Sequence, residues 1–145
     1  MNGEQVIQLL RQLRHDFGNH LQVISGYLDL GRSAEVKRYI QSLAEEMGEE
    51  RIIFETCSPD TAFYFYQQLL LARERGIKMR YQDLSVSSVA ALEKNQEPLK
   101  SVIKAAASAG DGRITVSVHQ SEDSGILLYI STETETEPIV VSVME

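Results

Sequence analysis

The sequence holds a single cysteine, Cys57, and one thiol alone excludes an intramolecular disulfide and a cysteine-built metal cluster. Such a thiol fits a reducing compartment, as a small packed side chain rather than a nucleophile. No apolar run approaches the ~18 residues that cross a bilayer, and the amino terminus lacks the basic-then-apolar order of a secretion signal. The expectation is a cytoplasmic protein without a membrane contact. Basic residues are the minority: 14 Lys and Arg stand against 21 Asp and Glu, for a net charge of −7, and no run of five basic residues occurs. That balance argues against nucleic acid as a partner.

What is present is 43% hydrophobic and 24% charged, the balance of a soluble globular chain of one or two small domains. The chain is organised around the stretch from Leu13 to Leu21. At about 100° per residue, Val6, Leu10, Leu13, Phe17, His20, Leu21, Ile24 and Leu28 fall within one arc. The reverse side carries Glu4, Gln8, Arg11, His15, Asn19, Gln22 and Gly26. This spacing predicts an amphipathic helix from about Gly3 to Leu30, with His15 directed away from the packed face. Asp16 is adjacent to that histidine, and Arg11 and Asn19 sit one turn before and after it. A carboxylate there can hold one ring nitrogen and leave the other free, and the neutral imidazole is the form that attacks. Gly18 weakens the helix by about 1 kcal/mol relative to alanine while leaving bare backbone beside His15.

The run Arg14-His15-Asp16-Phe17-Gly18-Asn19-His20-Leu21, continuing through Gln22, Val23, Ile24 and Ser25 to Gly26, resembles the phosphoacceptor box of the citrate- and malate-class sensor histidine kinases. It also resembles that of their relatives, the sporulation phosphotransferases. It departs from the usual pattern at Gly18, where methionine is more common. The resemblance implies that His15 is the phosphorylated residue, with Asp16 orienting the ring and Asn19 beside it. Arg11 and Arg14 would contact the phosphoryl group or a partner's loops, and Gly18, Gln22 and Gly26 would line the groove that receives the partner.

Gly31 suits a left-handed helix end and Ser33 the N-cap of a second helix, which has Val36, Ile40, Leu43 and Met47 on one face and runs to Ser58-Pro59. A hairpin with a long apolar stripe on each helix cannot cover both stripes alone. Pairing with an identical hairpin gives a four-helix bundle, so a homodimer is expected with both His15 rings outside. The less favoured arrangement is a monomer whose second half folds over the hairpin.

Beyond Ser58-Pro59, Asp60 or Thr61 is read as the cap of a third helix to about Arg75, with Phe63, Tyr66, Leu69, Leu70 and the stem of Arg73 inward. A strand at 77–84 follows, then a helix from Leu92 or Glu93 to Ala109, a tight turn at Gly110-Asp111-Gly112, and strands at 113–120, 126–131 and 139–143. His119 lies on the strand face opposite Ile114, Val116 and Val118 and is given no role. The fold class expected is α+β: residues 1–57 a helical hairpin, and residues 58–145 a small α/β sandwich.

That second half resembles the opening of the sensor-kinase ATP-binding domain, Leu69 to Met79 being like the segment that begins it. In the resemblance, Ala105 stands where an asparagine holds the nucleotide's magnesium. The run Ile130 to Glu137 has neither the aspartate nor the glycines that meet the adenine, and no lid follows. The resemblance therefore implies a degenerate domain without a cofactor of its own. The expected function is a histidine phosphotransferase that passes phosphoryl groups between aspartates of response regulators, the regulator supplying Mg2+. The competing expectations are a non-catalytic dimerisation module derived from a kinase and, behind it, a working histidine kinase.

Overall fold

In the computed structural model of the chain, residues 2–110, 112–123, 125–135 and 137–144 are described, the side chain of Ala109 excepted. Asp111, Ser124 and Thr136, which fall in the turn expected at 110–112, the loop at 121–125 and the run 130–137, lie outside the described residues. The chain divides into two compact units, Met1–Gly48 and Glu49–Glu145.

The first unit is a helical hairpin. Helix α1 spans Gly3–Asp29. Its start is fixed by a capping box in which the Asn2 side chain accepts from the Gln5 amide at 2.9 Å while Gln5 Oε1 accepts from the Asn2 amide at 3.3 Å. Its end is a Schellman turn: Gly31, at φ +70°, donates to the Leu28 carbonyl, and Arg32 donates to that of Tyr27. Helix α2, Ser33–Thr56, begins immediately. Ser33 is therefore its first helical residue rather than the expected cap, because the Schellman turn already delivers the Arg32 carbonyl to the Val36 amide at 3.2 Å. The last turns of α2, from Glu49 onward, belong to the second unit, where Ile53 is fully buried.

The predicted apolar arc of α1 is present but split. Val6, Leu13, His20 and Ile24 are half-buried, whereas Leu10, Phe17, Leu21 and Leu28 stay 48%, 64%, 51% and 58% exposed. One partner helix covers only part of so wide a stripe. On α2 the same division leaves Val36 and Leu43 half-covered and Ile40 and Met47 exposed, seven residues apart.

The second unit is a four-stranded mixed sheet with helices on one face. Helix α3 spans Pro59–Glu74, β1 Met79–Ser85, α4 Ala90–Asn95, α5 Leu99–Ala109, β2 Ile114–Gln120, β3 Ile126–Thr132 and β4 Ile139–Val143. The sheet order is β1-β2-β3-β4, with β1 parallel to β2 across the α4–α5 crossover and the rest antiparallel. Alternation decides the faces: Ile114, Val116, Val118, Ile126, Leu128 and Ile130 are 0–1% exposed, and the residues between them are half-covered. A Cβ at Gly125 would meet Met144 Sδ at 2.9 Å and the Val143 carbonyl oxygen at 3.0 Å, so a side chain there would make both give way.

Three local expectations need correction. Ser58, extended at ψ 161°, precedes α3 with Pro59 at the first helical position, so neither Asp60 nor Thr61 is the cap. On α3 Thr61, Phe65, Leu69, Leu70 and Ala72 are 0–4% exposed and Tyr64 is also buried, while Phe63 and Tyr66 are only half-buried. The single helix expected over 92–109 is two helices, because Gln96 turns left-handed at φ +56° and ends the first of them two residues before Pro98. A proline without an amide hydrogen ends a helix in this way.

Two tyrosines carry the core's polar contacts. Tyr81 Oη donates to the Phe65 carbonyl at 2.9 Å, and Tyr64 Oη donates to the Glu97 carbonyl. Burial pushes both phenols above the ordinary tyrosine value, with the charges of Glu93 and Glu97 adding to the effect at Tyr64. A phenol whose folded value lies above its unfolded value of about 10 stabilises the fold below that pH and ceases to as pH rises past it. Chemical-denaturant stability measured from pH 8 to 12 should therefore fall above pH 10. In Tyr64→Phe and Tyr81→Phe the fall should be shallower, from a neutral-pH stability lower by about 1 kcal/mol.

Candidate functional site

The middle of α1 places His15 in solvent, its side chain 75% exposed. Helical geometry sets the neighbours: Asn19, four residues on, brings Nδ2 to 3.5 Å from His15 Nδ1, and Asp16 Oδ1 lies 3.7 Å from the same nitrogen. Among the described residues none is bonded to Nε2. Arg11, Arg14, Gln22 and Gly26 are exposed on α1, Gly18 is half-buried, and no atom comes within 4 Å of a Cβ built on Gly18 or Gly26.

Beneath this surface a polar tie joins α1 to α2. His20 Nδ1 lies 2.6 Å from Tyr39 Oη of α2, with the rings tilted at 57°. Burial, helped by Glu46 and Tyr27, raises the Tyr39 phenol above its ordinary value. Neither residue reaches His15, so His20 acts in the hairpin and His15 at its surface. The His20 partner was not apparent in the sequence, since α2 offers a tyrosine 19 residues away with no local spacing to mark it.

In the second unit, the parallel register of β1 and β2 sets Ser85 opposite His119. Ser85 Oγ lies 3.0 Å from His119 Nδ1, and Asp83 Oδ2 lies 3.5 Å from Nε2. The trio lies on the face of the sheet opposite Ile114, Val116 and Val118, a polar cluster that only strand pairing reveals. A cleft of about 450 Å3 lies elsewhere, between α5 and β4, with Ala105 in its wall. No group of three or more His, Cys, Asp or Glu among the described residues could hold a metal. No helix among them is long and apolar enough to cross a membrane.

Residues 1–56 match the family described as sensor kinase SpoOB-type, alpha-helical domain. The match covers 56 of the 145 residues. No curated protein matches the chain. The SpoOB-type match spans the two helices and contains the whole of the histidine cluster on α1. It makes this part of the chain a module related to sensor kinases and phosphotransfer, with His15 on its exposed surface.

Proposed function

We propose that the chain is a phosphorelay phosphotransferase that takes a phosphoryl group from an aspartyl phosphate of one response regulator and delivers it to an aspartate of another, through phospho-His15. The observation that carries this reading is the His15 ring: three-quarters exposed on a SpoOB-type helix, with neighbours gathered at Nδ1 and Nε2 open. With the proton on Nδ1, facing the Asp16 carboxylate, the lone pair sits on Nε2. A half-turn of the Asn19 amide makes its oxygen an acceptor for the same proton. Nε2 attacks phosphorus in line, the N–P bond forms, and the P–O bond to the aspartyl carboxyl breaks and releases a carboxylate. The reverse displacement on a second regulator frees the imidazole. The charge on the transferring group is met by Mg2+ held in the regulator's acidic pocket, with Arg11 and Arg14 near enough along α1 to assist. His15, Asp16 and Asn19 act on the phosphoryl group, while Gly18, Gln22 and Gly26 form the surface under the docking helix.

The exposed apolar residues of α1 and α2 support a homodimeric four-helix bundle with the two His15 rings outside it. For the second unit we infer a degenerate kinase ATP domain. Ala105, 5% exposed, offers a methyl where the kinases place a metal-binding amide. Mg-ATP binding at micromolar affinity by calorimetry would instead favour an autophosphorylating kinase.

The deciding experiment mixes the chain with a regulator carrying labelled aspartyl phosphate, without ATP. Acid-labile, alkali-stable label should appear on this chain and then chase onto a second regulator. Binding of regulators without any transfer of label would leave a non-catalytic docking module.

Gly18→Ala separates helix stability from docking. The added methyl meets nothing within the chain. Thermal unfolding should show stabilisation by about 1 kcal/mol. Transfer from the regulator should nevertheless slow several-fold, through KM rather than kcat, if a partner's backbone approaches this glycine. Unchanged kinetics would remove Gly18 from the docking surface.

A further inference from the structure

The cleft of about 450 Å3 between α5 and β4 has two unlike walls. One is the row Ile139, Val141 and Val143, paired with Ile130, Leu128 and Ile126 on the face that the helices cover. The three β3 residues are 0–1% exposed, yet exposure along β4 climbs from 4% at Val143 through half-covered Val141 to 46% at Ile139. The other wall is polar and carries both signs of charge: Lys100 and Lys104 on α5, Glu97 just before it, and Glu135 between β3 and β4.

Topology sets the two signs apart. As part of the crossover between parallel β1 and β2, α5 runs against those strands. It is followed directly by β2, whose first residue, Ile114, pairs with Thr132. The carboxyl end of α5 therefore lies toward Thr132, and Ser108, Thr132, Glu135 and Ile139 line that end of the cleft together. The amino-terminal half, which carries Lys100 and Lys104, runs back toward Val143 and Met144. Between the ends, the β4 row from Ile139 to Val143 is about 13 Å long at ~3.3 Å per residue. Lys100, Lys104 and Glu135 form no ion pair among the described residues. Glu97 is already engaged: 3% exposed, it accepts from the Ser101 amide at 3.1 Å and the Ser101 hydroxyl at 2.5 Å. Two lysines against that one carboxylate leave their end positive, and Glu135 leaves the other negative.

We propose that the cleft binds a linear zwitterion with an apolar body, the chemistry of a short peptide with both ends free. Its ammonium meets Glu135, its carboxylate meets Lys100 and Lys104, and its side chains lie on Ile139, Val141 and Val143. A ligand of one sign is repelled at one end, as a polyphosphate is by Glu97 and Glu135. An extended chain advances ~3.3 Å per residue, so about four residues span the row. Small ligands occupy clefts of this size in which a few polar groups fix the orientation of an apolar body. The proposal is independent of the reaction at His15.

The test titrates the full chain with the peptide Val-Ala-Val-Ala and with its N-acetylated and C-amidated forms, read from amide chemical shifts. The free peptide should bind with a Kd of about 1 mM or tighter and shift the resonances of Lys100, Lys104 and Glu135. Each cap should weaken binding about 5-fold, the upper worth of an exposed ion pair. All three charged side chains are exposed, so their glutamine variants should fold as wild type does. In Glu135→Gln the acetyl cap should make no further difference, and in the double variant Lys100→Gln, Lys104→Gln the same should hold for the amide cap. Absence of binding at millimolar peptide, cap effects that persist in the variants, or displacement of the peptide by Mg-ATP would overturn the proposal. So would hydrogen-exchange protection of the 139–143 amides on the side of β4 that pairs with no strand among the described residues, since that is the mark of a strand added to the sheet.

Discussion

Replacing His15 by alanine is expected to reduce label transfer from a phosphorylated regulator to background, at least ~1000-fold below wild type, because the substitution removes the attacking nitrogen itself. The fold should not register the change. His15 is 75% exposed, and among the described residues its polar contacts are with Asp16 and Asn19 at 3.5 Å or longer, so unfolding free energy should stay within about 0.5 kcal/mol of wild type. His20→Ala gives the contrast, since its ring is half-buried and bonded to Tyr39. That variant should lose about 1–2 kcal/mol of stability and keep its label. Label surviving in the His15→Ala protein would place the acceptor elsewhere. Label lost in both variants would be read against their melting curves, and a folded His20→Ala protein without label would break the assignment of one histidine to chemistry and the other to the hairpin.

The histidine cluster was legible in the sequence because helical geometry is local. Once Leu13 and its neighbours define a face, the positions of His15, Asp16 and Asn19 follow from 100° steps, and Gly31 at φ +70° ends the helix as its type requires. The strands could be read for the same reason: alternation over Ile114–Gln120 and Ile126–Thr132 is visible within seven residues. What could not be read depends on partners distant in the chain. The Ser85–His119 contact exists because β1 and β2 are parallel and in register, and the His20–Tyr39 tie because α2 returns alongside α1. The break at Gln96–Pro98 is a different kind of miss. Pro98 marked it locally, but the apolar pattern on either side suggested one helix.

Introducing glutamate at both Phe17 and Leu21 is expected to convert a dimer of the full chain into a monomer, with light scattering falling to the 16.3 kDa of one chain. The reasoning starts from α1, which has 27 residues and none that is buried. A helix gains little from propensity alone, and packing of its apolar face ordinarily holds it. Here the hairpin covers Val6, Leu13, His20 and Ile24 in part, and Leu10, Phe17, Leu21 and Leu28 lie about 60° further round and stay about half exposed or more. Full burial of each such side chain is worth about 1.5–3 kcal/mol, so a stripe shared by two copies supplies enough to offset association. Two glutamates per chain replace that gain with like charges facing across a symmetry axis. Helix content by circular dichroism should fall with the mass, because the separated hairpin retains only its partial cover. Gln22→Glu, one residue along on the exposed face that carries His15, should leave the mass unchanged. Wild-type protein running as a monomer at micromolar concentration would refute the bundle outright, and the apolar stripe on α1 would then require another occupant.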